Sequence, residues 1–183
     1  MSRISTPATI TEAPEASQSQ LEAVKASLGS VPNMFRLVSQ SPATLEGLLG
    51  LNGALSRGSL NVATRERIAL AIANYNGCSY CNSAHTYLGR KVAKLDDAEI
   101  DAARRGRSTD AKADAAVGLA LKVAEARGRV SEADLAKARL AGFTDGELIE
   151  IVGHVALNTL TNYVNEAFAT EIDFPVVEAS RAA

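Results

Sequence analysis

The sequence has few cysteines and no long apolar run. Its 183 residues include only two cysteines, Cys78 and Cys81, and a pair three positions apart cannot form the disulfide framework of a small secreted domain. No run of about eighteen apolar residues is present, so a membrane-spanning helix is not expected. The N-terminal residues lack the continuous apolar core of a signal peptide. Together these absences predict a cytoplasmic protein.

The sequence also lacks an excess of charge of either sign. Lys and Arg number 19 and Asp and Glu number 21, which gives a formal net charge of -2. Binding to nucleic acid or to an anionic membrane surface requires clustered positive charge, and the basic cluster Arg104, Arg105 and Arg107 is short. We therefore expect neither a nucleic-acid partner nor a membrane partner.

No segment has the period-two alternation of a convincing β-strand, and turn residues separate segments of helix length. Capping patterns open several of these segments, from Ser17-x-x-Gln20 to Thr144-x-x-Glu147. The predicted fold class is therefore all-α, a helical bundle. Helices are predicted at residues 17–28, between Pro32 and Pro42, at 42–57, 61–76, from the cysteines onward, and at 96–104, 110–127, 131–140 and 144–170.

The length of the chain suits one domain with a real hydrophobic core. Residues 1–15 mix Ser, Thr, Pro and Ala and predict a flexible N-terminal arm that could become ordered against a partner subunit. The helical domain is expected over residues 16–178. Residues 179–183 are expected to form a tail.

The two cysteines lie in a stretch that begins at Glu66 and holds three reactive residue types. Cys78 and Cys81 form a C-x-x-C pair, His85 follows four residues after Cys81, and Glu66 precedes Cys78 by twelve. The segment Ile68–Ala73 is apolar on every side, which predicts a helix that is buried all round. A cysteine pair at the end of a buried helix, with a histidine and a carboxylate within reach, indicates thiol redox chemistry.

Two features of this stretch favour an ionised cysteine. The thiolate is the reactive form, and a free cysteine with a pKa of about 8.5 is mostly protonated at neutral pH. The pair is predicted at a helix N-terminus, where free backbone N–H groups and the helix dipole favour negative charge. Cys81 and His85 stand four residues apart and share a helix face, so His85 can accept the thiol proton.

Glu66 can join this group only if two helices form a hairpin. Twelve residues of one helix span about 18 Å, which is too far for Glu66 to reach Cys78 along the helix. If the second helix folds back after Gly77, Glu66 lies nearer to His85. This predicts a proton relay from Glu66 through His85 to Cys81, directly or through water. A Cys81 thiolate of this kind could reduce a hydroperoxide, condense with Cys78 to a disulfide and be restored by an external dithiol.

The pattern of these residues resembles a known family. The pattern consists of Glu66, eleven further residues, the sequence CSYC from Cys78 to Cys81, three further residues and His85. It resembles the pattern of the alkylhydroperoxidase D-like group of the carboxymuconolactone decarboxylase family. Two further segments resemble the peroxidase-related branch of that group, VPNMFRLVSQSP and NYVNEAFATEIDFP. The resemblance extends over residues 20–178.

This resemblance implies an all-helical domain that assembles as a trimer or hexamer and has an antioxidant, thiol-dependent peroxidase activity. It implies that Cys81 is the peroxidatic thiol and Cys78 the resolving thiol, with Glu66 and His85 as the proton relay. The expected partners are a hydroperoxide substrate and an external dithiol or protein electron donor, and no cofactor or metal is expected. Tyr80 stands where the best-studied form has a second histidine, and it is a candidate to line the pocket.

Three alternatives remain open: a disulfide reductase or weakly active stress protein, a lyase like the decarboxylases of the family, and a non-catalytic zinc-bound or scaffold protein. Those decarboxylases lack the cysteine pair, so the pair favours redox chemistry. Zinc could use the cysteines, His85 and His154, although structural zinc sites usually use two separated ligand pairs. His154 is otherwise expected to be a hydrogen-bonded core residue, with Asn158 and Asn162 on its side of the helix.

Overall fold

The computed structural model describes residues 2–180, which contain nine α-helices and no β-strand. A short 3-10 turn at Ile10–Glu12 precedes the α-helices. None of the helices in this range has both the length and the apolar character that crossing a membrane requires. The all-α prediction is confirmed. The helices are α1 (Glu15–Leu28), α2 (Asn33–Val38), α3 (Pro42–Ser56), α4 (Val62–Tyr75), α5 (Ser79–Lys91), α6 (Asp97–Arg104), α7 (Ala111–Glu125), α8 (Glu132–Leu140) and α9 (Asp145–Phe168).

The start of α1 differs from the prediction. The helix begins at Glu15, directly after Pro14, so Ser17 lies inside its first turn. The Ser17 side chain is buried, and its hydroxyl donates to the carbonyl of Ser39 at 2.7 Å. The predicted capping box at Ser17 and Gln20 is therefore wrong, because the serine hydroxyl makes a tertiary contact instead of capping the helix.

Helix α4 lies at the centre of the fold and packs against α5, α6, α7 and α9. All six residues of Ile68–Ala73 are buried, as their continuous apolar character predicted. Ile68 and Ile72 belong to the main core with residues of α7, α8 and α9. Leu70 packs on the side of α6, and Ala73 packs against the cysteine pair. The centre of the bundle thus supports the cysteines directly.

Helices α4 and α5 form the predicted hairpin. Gly77 joins them with a φ of 74°, in the left-handed region that glycine adopts at little cost. The N–H of Cys78 then donates back to the carbonyl of Ala73 at 2.9 Å. The chain reverses at this point, and α5 runs antiparallel to α4.

The N-terminal residues lie along helices of the same chain. The N–H of Arg3 donates to the carbonyl of Phe168 in α9 at 2.7 Å, and Arg36 in α2 donates to the carbonyl of Ala8 at 2.8 Å. These contacts hold the predicted arm against its own domain. The division into arm, domain and tail stays a prediction, and its first residue and last three residues lie outside those that the structure describes.

Candidate active site

Cys78 and Cys81 lie at the N-terminal end of α5, as predicted. Cys78 is the N-cap residue, and its sulfur accepts a hydrogen bond from the N–H of Cys81 at 3.3 Å. Both cysteines are reduced. Their exposed fractions are 0% for Cys78 and 2% for Cys81. The Cys78 sulfur thus caps the helix end, and both sulfurs lie in a buried setting, which strengthens electrostatic effects on the thiols.

The surroundings of Cys81 make it the more acidic of the two thiols. A hydrogen bond from Cys78 is the main cause that lowers the pKa of Cys81 to about 6, and burial opposes it. The charge of His85 and the side chains of Asn165 and Asn162 lower the pKa further. The Nδ2 of Asn165 donates to the Cys81 sulfur at 3.2 Å. The same hydrogen bond between the cysteines, together with burial, raises the pKa of Cys78.

His85 and Glu66 meet across the hairpin. The His85 Nδ1 lies 2.9 Å from Oε2 of Glu66. Burial by itself lowers the pKa of His85, but the charge of Glu66 and its hydrogen bond outweigh burial, so the pKa of His85 is raised. The two arginines that flank Glu66 bind other groups, since Arg65 donates to a backbone carbonyl and Arg67 to a carboxylate of α6. Glu66 is thus left to pair with the imidazole.

His85 influences Cys81 through its charge. The hydrogen bonds found within residues 2–180 include none between these two side chains, and the bond of the imidazole is to Glu66. A proton that passes between His85 and Cys81 therefore needs a bridging molecule, either water or the substrate. The predicted relay included this possibility.

The hydroxyl of Tyr80 binds two other segments of the chain. It donates to Oδ1 of Asp173 at 2.8 Å and accepts from the N–H of Met34 at 3.1 Å. Its ring packs edge-on against Phe174 with 5.8 Å between the centroids. Burial is the main cause that raises the pKa of Tyr80. Tyr80 thus connects α5 to α2 and to the C-terminal residues, and its predicted role toward a substrate stays a prediction.

The C-terminal residues 171–180, which we call the C-terminal strap, cross the start of α5. The N–H of Val177 donates to the hydroxyl of Ser83 at 2.9 Å, and the hydroxyl of Ser79 donates to Glu178 at 2.7 Å. Ile172 and Phe174 pack against the apolar cluster that contains both cysteines. The strap thus lies over the start of α5, beside the buried sulfurs.

His154 differs in one respect from its prediction. The residue is buried as expected, but its Nε2 has no hydrogen-bond partner among residues 2–180. Burial, with a further contribution from Arg65, lowers its pKa. In the described part of the chain no three His, Cys, Asp or Glu side chains are grouped so that they could hold a metal ion. The ligands of the zinc alternative, which are the two cysteines and His85 with His154 as a possible fourth, are therefore not grouped there.

Asn165 contacts the sulfur of Cys81 and was not among the residues predicted from the sequence. Asn158 and Asn162 were predicted on the side of His154, and Asn165 lies one turn further along the same face. Asn158 donates to the carbonyl of His154 at 2.8 Å and so stays within its own helix. Asn165 could have been predicted from the three asparagines on one face of a largely apolar helix. Buried polar side chains need partners, so such a face is expected to contact another polar or reactive group.

A known protein family matches the part of the chain that holds this site. The model of the carboxymuconolactone decarboxylase family matches residues 42–126, a range that includes Glu66, both cysteines and His85. No curated protein matches the sequence.

Several solved structures share the fold. The alkylhydroperoxidase AhpD core of an uncharacterized peroxidase-related protein from Ralstonia eutropha JMP134 is 26% identical, with a TM-score of 0.84 over 94% of this chain and 92% of its own. A peroxidase-related protein from Silicibacter sp. TM1040 is 24% identical, with a TM-score of 0.80 over 93% and 91%. A cysteine-to-alanine variant of the debrominase Bmp8, in complex with 2,3,4-tribromopyrrole, is 18% identical, with a TM-score of 0.78 over 94% of each chain. Residues 42–126 therefore match the carboxymuconolactone decarboxylase family, and the chain has the fold of the alkylhydroperoxidase AhpD-like, peroxidase-related protein that it resembles.

Proposed function

We propose that this chain is a thiol-dependent peroxidase that reduces organic hydroperoxides. The observation that carries the proposal is the buried cysteine pair at the start of α5, in which Cys78 caps the helix and Nδ2 of Asn165 donates to the Cys81 sulfur at 3.2 Å. These contacts lower the pKa of Cys81, while the pKa of Cys78 is raised. A thiolate at neutral pH is the nucleophile of such a reaction, and a neighbouring neutral thiol can then resolve the product. The pairing of His85 with Glu66 adds a proton donor at the same site.

The proposed reaction has two chemical steps before reduction. The Cys81 thiolate attacks the terminal oxygen of the hydroperoxide, so an S–O bond forms and the O–O bond breaks. Sulfur loses two electrons, and the departing alkoxide takes a proton from the His85 imidazolium and leaves as an alcohol. The sulfur of Cys78 then attacks the Cys81 sulfenic acid, which gives a disulfide and water. An external dithiol returns both thiols by exchange.

Sustained turnover tests this proposal. With dithiothreitol as an artificial electron donor, the wild-type chain is expected to consume an organic hydroperoxide continuously. The double variant Cys78→Ser/Cys81→Ser is expected to do so no faster than buffer. A chain that reduces a small disulfide but leaves the hydroperoxide intact would favour the disulfide reductase alternative instead.

Opening of the C-terminal strap is part of the proposed cycle, because both sulfurs are buried beside it. Asp173 accepts hydrogen bonds from the Tyr80 hydroxyl and from the N–H of Asn33, so we expect Asp173→Ala to loosen the strap. The loss of two hydrogen bonds to a carboxylate should raise the fraction of molecules in which the strap is open by about tenfold. The rate of thiol labelling in the native protein should rise by the same factor. The measurement is the reaction of the folded protein with a coloured aromatic disulfide.

Glu171→Ala is the matched control for this prediction. Glu171 is an exposed carboxylate two residues earlier in the strap, and its contacts with other residues involve its backbone N–H and carbonyl. Labelling of this variant should keep the wild-type rate. Equal labelling rates in Asp173→Ala and wild type would show that the sulfurs are reached by another route.

Assembly into a trimer or hexamer is also part of the proposal. Four apolar side chains of α9 are exposed, and their spacing puts them on one face of the helix: Ile149, Val152, Leu160 and Tyr163. Exposed apolar surface of this kind marks protein contacts. Light scattering of the purified protein is expected to give three or six times the chain mass of 19.1 kDa, and the mass of a single chain would contradict assembly.

A further inference from the structure

Two buried polar atoms beside Cys81 make no hydrogen bond. Asn162 and Asn165 follow one another on the inner face of α9, with exposed fractions of 0% and 2%. Within residues 2–180, neither Nδ2 of Asn162 nor Oδ1 of Asn165 has a hydrogen-bond partner. Buried polar atoms without partners are rare in folded proteins and destabilise them. A pair of them at a reactive sulfur therefore calls for a functional explanation.

The other end of each amide is already held. The Oδ1 of Asn162 accepts from Nδ2 of Asn76 at 2.9 Å, and Nδ2 of Asn165 donates to the sulfur of Cys81 at 3.2 Å. Each amide plane is thus fixed by its bonded end. The unpaired atoms are one donor, on Asn162, and one acceptor, on Asn165. The Asn162 amide lies near enough to Cys81 to lower the pKa of the thiol, but its Nδ2 makes no hydrogen bond to the sulfur among the described residues.

We propose that Asn162 and Asn165 bind the oxygen atom that Cys81 receives from a hydroperoxide. This inference rests on the proposed function. The oxygen of a sulfenic acid accepts one hydrogen bond and its O–H group donates another. A donor on Asn162 and an acceptor on Asn165 match that pair. The two amides complete their hydrogen bonding only when the oxygen is bound, so they stabilise the oxidised state relative to the thiolate.

The asparagines exchange no proton in this step. The S–O bond forms as the O–O bond breaks, the hydroperoxide is reduced to an alcohol, and His85 supplies the proton that the alkoxide takes. The amides hold the transferred oxygen and its O–H group while this happens. They then keep the sulfenic acid in place until the sulfur of Cys78 attacks it.

The test uses the full chain with Cys78→Ser, in which the sulfenic acid cannot be resolved. Asn162→Leu and Asn165→Leu are added separately, since leucine has a similar volume and no hydrogen-bonding group. The rate of sulfenic acid formation with cumene hydroperoxide is measured by trapping with dimedone. Each measurement is made at a pH at which the ultraviolet absorbance shows Cys81 to be fully ionised. Each substitution is expected to slow formation about tenfold, because one hydrogen bond to the transferred oxygen is lost.

Asn158→Leu is the control. Asn158 is a buried asparagine on the same helix whose side chain bonds to a backbone carbonyl, so its substitution should leave the rate unchanged. Circular dichroism checks the fold, and serine replaces leucine at either position if the leucine variant does not fold. Equal rates in all variants would overturn this inference and leave the peroxidase proposal intact. Absence of any sulfenic acid in Cys78→Ser alone would overturn both.

Discussion

Cys81→Ser is expected to abolish the reaction with hydroperoxides, with a fall in rate of at least about a thousandfold. The substitution removes the one sulfur whose pKa is lowered to about 6, and a serine hydroxyl does not ionise near neutral pH. The measurement is hydroperoxide consumed per chain after addition of one equivalent, without any reductant. The variant should consume none.

Cys78→Ser is the matched control, since it removes the other sulfur of the same helix end. The serine hydroxyl can still donate to the Cys81 sulfur, so the first step should survive. One equivalent of hydroperoxide should be consumed, and the protein should stop at a sulfenic acid that dimedone traps. If Cys81→Ser reacts and Cys78→Ser does not, the two roles are reversed.

Glu66→Gln is expected to lower the rate of hydroperoxide reduction at neutral pH by about a hundredfold. The charge of Glu66 raises the pKa of His85 against the effect of burial, so its loss leaves less imidazolium to protonate the alkoxide. Cys81 in turn loses part of the positive charge that lowers its own pKa. In a profile of rate against pH, the midpoint of the acid limb should therefore move to higher pH and the midpoint of the alkaline limb to lower pH. A profile identical to that of wild type would contradict a role for Glu66.

The same substitution has a predicted effect on stability. The folded-state pKa of His85 lies above its unfolded value, so the pair with Glu66 stabilises the fold fully below an unfolded pKa of about 6.5. This stabilisation is lost as the pH rises through the folded-state pKa. The difference in the free energy of unfolding between wild type and Glu66→Gln should thus be larger in mildly acidic than in alkaline urea titrations. If this difference in the free energy of unfolding does not change with pH, the attraction between the charges of His85 and Glu66 does not stabilise the fold.

Most of the fold could be predicted because its signals are local. A side-chain oxygen three residues before a backbone N–H helps to determine where a helix starts. Five residues at which a helix is predicted to start accept that hydrogen bond: Asn61, Asp96, Asp110, Ser131 and Thr144. The meeting of Glu66 and His85 could also be predicted, because a single hairpin brings them together and the turn at Gly77 marks its position. Short sequence separation leaves few alternative arrangements.

The contacts that close the site could not be predicted, because they join distant parts of the chain. Asn165 is 84 positions from Cys81, and Asp173 is 93 positions from Tyr80. Which face of α9 meets the cysteines depends on how all the helices pack, and no local pattern specifies it. The C-terminal strap contains no regular element at all, so periodicity gave no indication that it lies over the start of α5.

Counting thiols tests the central claim most directly. The wild-type protein, freed of reductant, receives one equivalent of an organic hydroperoxide, is unfolded under acidic conditions, and is titrated for free thiols. The account predicts that both thiols disappear together and that the intact mass falls by two hydrogen atoms, as an intramolecular disulfide between Cys78 and Cys81 requires. Two free thiols and an unchanged hydroperoxide, in protein whose helical fold is intact, would contradict it.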